Sequence, residues 1–104
     1  MFWAKKNEIH LTRGDSAKFR VNLINKDGTA YTMDVEDRLV FSIRNEQMVV
    51  YNEVFNSPEI ELFPSDTASL TCQPYRYEIE LHTGTGEVYT VIGWELFVLE
   101  REVF

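Results

Sequence analysis

The stretch Tyr75-Arg76-Tyr77-Glu78-Ile79-Glu80-Leu81 decides the fold. Its apolar residues occupy every second position, with Arg76, Glu78 and Glu80 between them. A β-strand turns successive side chains to opposite faces, so a period of two describes a strand with one dry face and one wet face. Ala17, Phe19, Val21 and Leu23 repeat the pattern, alternating with Lys18, Arg20 and Asn22. Such alternation suits antiparallel sheets, which tolerate water on one side.

Outward from these two segments, weaker strand patterns run over residues 8–12, 38–44, 47–55, 59–63, 87–92 and 95–100, separated by turn signals. Within residues 25–29, the pair Asp27-Gly28 supplies a positive φ at low cost. It predicts that the strand starting at Ala17 folds back on residues 30–33 as a hairpin. Thr83-Gly84-Thr85-Gly86 predicts a second hairpin, between residues 78–81 and 88–92. Residues 64–70 carry the one helical signal: Pro64 suits a first helical position and Asp66 the positive first turn, enough for a single turn of helix. No long segment has a 3.6-residue apolar period, and no repeat or low-complexity linker divides the chain. The expectation is an all-β fold, an immunoglobulin-like antiparallel β-sandwich of about 7–9 short strands with one helical turn near residues 64–70. Residues 1–104 are expected to form a single domain.

Composition agrees with a folded domain. Apolar residues make up 44% of the 104, with seven Phe, five Tyr and two Trp, enough to offset the chain entropy that leaves polar sequences disordered. The formal charge of −7 and scattered basic residues argue against a partner held through its phosphates, so neither nucleic acid nor an anionic membrane is expected. Cys72 is alone, so no intrachain disulfide is available. No run approaches the ~20 apolar residues of a membrane helix, and the first eight residues lack an apolar stretch of signal-peptide length; the chain is expected to be soluble when made.

The residues that carry chemistry elsewhere are sparse. His10, His82 and Cys72 stand at no recurring metal spacing, and both histidines are placed by the alternation on a wet face. No Gly-flanked Ser or Cys elbow is present, and the five glycines are too dispersed for a phosphate cradle. Two acidic groups, Asp34/Glu36/Asp37 and Glu78/Glu80, read as solvated carboxylates in a turn and on a strand's wet face. Arg13-Gly14-Asp15 matches the cell-adhesion tripeptide, but between two strand patterns a tight turn is the better reading. No catalytic, cofactor-binding or metal residue is assigned. The chain ends are unusual: Phe2 and Trp3 open it, Val103 and Phe104 close it, and termini are normally polar unless tied down. These four form the candidate interface, packed on the domain's own sheet or on another subunit.

Four stretches in order resemble the short β-sandwich domains of tailed-phage and prophage structural proteins, including the N-terminal domain of baseplate upper proteins. They are Leu11-Thr12-Arg13-Gly14-Asp15 leading into an alternating strand, and Asp27-Gly28 followed by the strand with Val40, Phe41 and Ile43. Then come Ile60-Glu61-Leu62-Phe63-Pro64-Ser65-Asp66-Thr67, and Tyr75-Arg76-Tyr77-Glu78-Ile79 with its closing hairpin. The likeness extends from about Ile9 to Val103; Cys72-Gln73-Pro74 stands where the family has a Gly, and Glu78 where it commonly has Asp. It implies a non-enzymatic virion component, made in the bacterial host cytoplasm, that contacts other virion proteins or itself as a homo-oligomer. The alternative is a carbohydrate-binding module, for which Trp94, beside Tyr89 or Tyr51, would be the platform residue. An enzyme would need an acid and a base aligned in a cleft, which no spacing here predicts.

Overall fold

A computed structural model describes residues 2–5, 7–46 and 48–102, and the side chains of residues 7–46 and 48–102. Among the described residues, eight strands and one helical turn follow in the order β1 (Phe2–Lys5), β2 (Glu8–Thr12), β3 (Ala17–Arg20), β4 (Arg38–Arg44), β5 (Val49–Phe55), β6 (Glu59–Leu62), α1 (Pro64–Thr67), β7 (Pro74–His82) and β8 (Val88–Glu100). Six of them form one sheet in the order β1-β2-β8-β7-β4-β5, and β3 with β6 form a second. The fold is an all-β, sandwich-like one.

The alternation does the work the sequence assigns to it. Along β7, Tyr75, Tyr77, Ile79 and Leu81 are buried while their neighbours reach solvent. Leu39, Phe41 and Ile43 of β4, Phe97 and Leu99 of β8, and Ile9 and Leu11 of β2 complete the inner face of the large sheet. Ala17, Ile60 and Leu62 of the small sheet close over it, with Val21 and Leu23 beyond β3. Phe41 is the centre: it stacks on Tyr77 at 5.5 Å between ring centroids, and meets Tyr51, Phe19 and Phe97 at 5.9, 6.0 and 6.5 Å. Offset and edge-on ring pairs of this kind add stabilisation beyond their buried area. The buried Tyr77 hydroxyl donates to the carbonyl of Asn7, so the one polar atom on that ring is satisfied.

Both turn signals fold as turns, with different consequences. The hairpin at residues 83–86 joins β7 to β8, with Gly86 at φ 93° and its N–H bonded to the Thr83 carbonyl. At residues 25–29, Gly28 takes φ 88°, Asp27 accepts from the Thr29 N–H and hydroxyl, and Ile24 bridges Ala30. The predicted hairpin forms only at its closed end, where the Tyr31 N–H donates to the Leu23 carbonyl at 2.9 Å; the arms then separate, so residues 17–20 do not pair with residues 30–33. Instead β3 pairs with β6. That partner offers more: Phe19 sits opposite Ile60, Lys18 and Arg20 face Glu61 and Glu59, and Lys18 Nζ lies 3.4 Å from a Glu59 carboxylate oxygen. Tyr31, meanwhile, is drawn to Asp37.

Two further departures shape the large sheet. β8 is continuous through Gly93-Trp94, where two strands were predicted, because the mismatch with β7 is absorbed by register shifts beside Glu78 and Ile79. All neighbouring strands run antiparallel except β2 and β8, which are parallel: Ile9, His10, Leu11 and Thr12 pair with Phe97, Val98, Leu99 and Glu100. The predicted helical turn is present, with Pro64 at its first position and the Asp66 carboxylate accepting from the Phe63 N–H at 2.7 Å.

Candidate functional site

The first strand and the exit of the last strand lie close together. β1 is the outer strand on one side of the large sheet, with Phe2 opposite Leu11 and Trp3 opposite His10. Leu11 has Leu99 on its other side, so the backbones of Phe2 and Leu99 lie two strand spacings apart, roughly 10 Å. The side chains of Phe2 and Trp3, and the whole of Val103 and Phe104, lie outside the described residues. Arg13 fixes the C-terminal segment: its Nε and Nη2 donate to the two carboxylate oxygens of Glu102 at 2.8 and 3.1 Å, and Nη1 donates to the Leu70 carbonyl at 3.3 Å. This hydrogen-bonded pair holds the Glu102 carboxyl below, and the Arg13 guanidinium above, its ordinary pKa.

The Arg-Gly-Asp tripeptide is therefore a structural turn. Gly14 adopts φ 85°, its N–H donates to the buried Thr67 hydroxyl at 3.1 Å, and the Asp15 N–H donates to the Thr12 carbonyl. The guanidinium that adhesion would require free is clamped to the last strand's exit.

Two expectations about polar residues need correction. Asp37 is 2% exposed, where a solvated turn was predicted. Its carboxylate accepts from the Tyr31 hydroxyl at 2.5 Å, the Asp34 N–H at 2.9 Å and the Gly84 N–H at 3.1 Å, pinning the 31–37 loop to the β7–β8 hairpin. Those bonds, that from Tyr31 foremost, lower the Asp37 pKa, and the same bond raises Tyr31 to about 12. Gly84 has no room for more: a Cβ there would stand 2.7 Å from the Glu36 Cβ. His10, predicted on a wet face, has a side chain only 14% exposed, because neighbouring strands flank it on both sides; its Nε2 lies 2.6 Å from Glu8 Oε1. His82 is the exposed one, 3.2 Å from Glu80. Glu78 is half-buried, and desolvation, then the neighbouring Glu80, raises its pKa.

Trp94 lies at the β8 bulge and is 41% exposed. The Arg44 guanidinium carbon sits 4.8 Å from its ring centroid, a cation–π distance. Arg44 and Arg76 are directly opposite each other on β4 and β7, and with Trp94, Leu96 and Pro74 they line an open groove of about 380 Å³. Like charges facing across a ladder are unfavourable, and here the indole ring and the nearby Glu78 offset the repulsion on Arg44. The groove does not include Tyr51, which packs on Phe41 inside, or Tyr89, which lies near Asp34 and Thr85 at the far end of the hairpin. With Asn45 and Glu46 also in its lining, the groove offers stacking together with hydrogen-bond donors and acceptors.

The other border of the large sheet is β5, which pairs only with β4. Val49 and Val54 are 45% and 52% exposed. Neither the groove nor this border is visible in linear spacing, since each depends on which strands become neighbours. Among the described residues, no group of three or more His, Cys, Asp and Glu is placed to hold a metal ion, and no helix is long and apolar enough to cross a membrane.

Compared with known proteins, the chain matches no family model, no curated protein and no solved structure.

Proposed function

We propose that this chain is a non-enzymatic structural component of a phage or prophage virion, in a baseplate, tail or head–tail connection, acting through contacts with other virion proteins or with itself. It would be made in the bacterial host cytoplasm and carried into the particle. The observation that carries the reading is the closeness of the first strand to the exit of the last: residues 2–5 form an outer strand, two strands from the segment that Arg13 holds in place through Glu102. A strand at a sheet border offers a partner its unpaired backbone groups. What supports the virion context is the order of the four motifs along the chain.

The test is co-purification with the products of adjacent genes. Co-elution with a tail, baseplate or portal protein, lost when residues 1–5 are removed from an otherwise folded chain, is the expected result. Flanking polysaccharide-degradation genes, with no co-elution, would overturn it.

A second reading, a carbohydrate-binding module, is favoured by the exposure of Trp94 beside the two arginines. A glycan-array signal abolished by Trp94→Ala supports that reading, and a blank array removes it.

A further inference from the structure

We propose that the groove beside Trp94 binds an acidic sugar: a pyranose ring stacks on the indole, and its carboxylate is held between Arg44 and Arg76. The proposal goes beyond the virion reading, and it rests on the carbohydrate-binding one, to which it gives a ligand class.

Two guanidinium groups without a carboxylate partner mark the place. Alternate side chains of β4 and β7 point to the outer face of the large sheet, away from the core, and Arg44 and Arg76 stand there directly opposite each other, both exposed. The Cβ atoms of such a pair are about 4.5–5.5 Å apart, close enough for both side chains to reach one anion. Arg13 and Arg38, by contrast, are engaged, the first by Glu102 and the second by the carbonyls of Val35 and Asp37. Among the described residues, the side chains of Arg44 and Arg76 make no hydrogen bond and no ion pair. The contact of Arg44 with the indole ring is not a hydrogen bond, so five N–H donors on each arginine are uncommitted there. Glu78, the next outward residue along β7, does not neutralise the pair: burial and Glu80 raise its pKa against the attraction of Arg44. A carboxylate in the groove removes the repulsion between the two cations and accepts a fork of N–H groups from each.

The rest of the lining selects a sugar acid among anions. Trp94 keeps 41% of its surface exposed beside the Arg44 contact, and the half-buried Leu96 adjoins the same groove. Apolar and aromatic surface with a few placed polar groups is the usual make-up of a small-ligand site, and the C–H face of a pyranose suits the ring. Asn45 and Glu46 supply acceptors for its hydroxyl groups. A phosphate dianion would bring a second negative charge toward Glu46 and Glu78, and a simple aliphatic carboxylate would leave the hydroxyl acceptors unused. A neutral sugar would leave both guanidinium groups without a counter-charge. The volume, about 380 Å³, falls within the roughly 300–1,000 Å³ of small-ligand sites.

A glycan array carrying uronic-acid and sialic-acid oligosaccharides, each beside its own methyl ester and with neutral glycans alongside, tests this on the full chain. The expected result is binding to acids, with esters at least about tenfold weaker. Arg44→Gln and Arg76→Gln should each abolish that preference at unchanged circular dichroism, and Trp94→Ala should remove the signal altogether. Arg76→Gln is the cleaner of the two, since Arg44 also packs on the ring. Acids and esters bound equally would overturn the acidic ligand and leave the carbohydrate-binding reading standing. An array blank for acids, esters and neutral glycans alike would remove both. Acid binding indifferent to Arg76→Gln would place the carboxylate elsewhere and overturn the proposal.

Discussion

At the scale of single residues, this chain shows how a charged side chain is made structural. Asp37 stands in a segment, Asp34-Val35-Glu36-Asp37, whose composition reads as a solvated turn, yet it is buried with three donors around its carboxylate. Those donors favour the ionised form, so its folded pKa lies below its unfolded one. The stability this contributes is present above the unfolded value, about 3.9, and is lost as pH falls through the folded value. Asp37→Asn should therefore lower the melting temperature at pH 7, and the gap from the unmodified protein should narrow below about pH 4; thermal melts from pH 7 to pH 2.5 check it. A gap independent of pH would mean that steric fit and not charge holds the loop. Phe41 is the apolar counterpart. It is fully buried and touches four rings, so Phe41→Ala should cost about 3–5 kcal/mol in urea unfolding, by lost transfer energy and a cavity the rigid sheet cannot close.

At the scale of elements, turns and strand partners obey different rules. The Asp27-Gly28 turn closes through local bonds between residues 25 and 29, but a local turn constrains only its immediate flanks. Beyond it, β3 is captured by the complementary charges and apolar pairs of β6, more than thirty residues away. The joint between Gly14 and Thr67 works in the same non-local way, tying the turn after β2 to the helical turn before β7. Thr67→Val keeps the shape of the buried side chain but removes the acceptor for the Gly14 N–H, and should cost about 1–3 kcal/mol in the same unfolding measurement. No cost would show that water replaces the hydroxyl there.

At the scale of the whole molecule, the large sheet is bordered by β1 on one side and by β5 on the other. Sequence alone determined the strand character of this chain, the inward residues of β7 and of the segment from Ala17 to Leu23, the helical turn at Pro64 and the positions of its glycine turns. All of these follow from a period of two or from the backbone freedom of one or two residues. Tertiary structure decided which strands are neighbours: β3 with β6, β2 parallel to β8, Arg44 opposite Arg76 under Trp94, and β5 left at a border. Alternation says which face of a strand is dry, but pairing is a competition among distant segments for complementary partners, and its outcome exists only once the sheet has formed. The candidate interaction surfaces belong to that outcome, which is why the terminal aromatics could be noticed in the sequence and the groove and the open border could not.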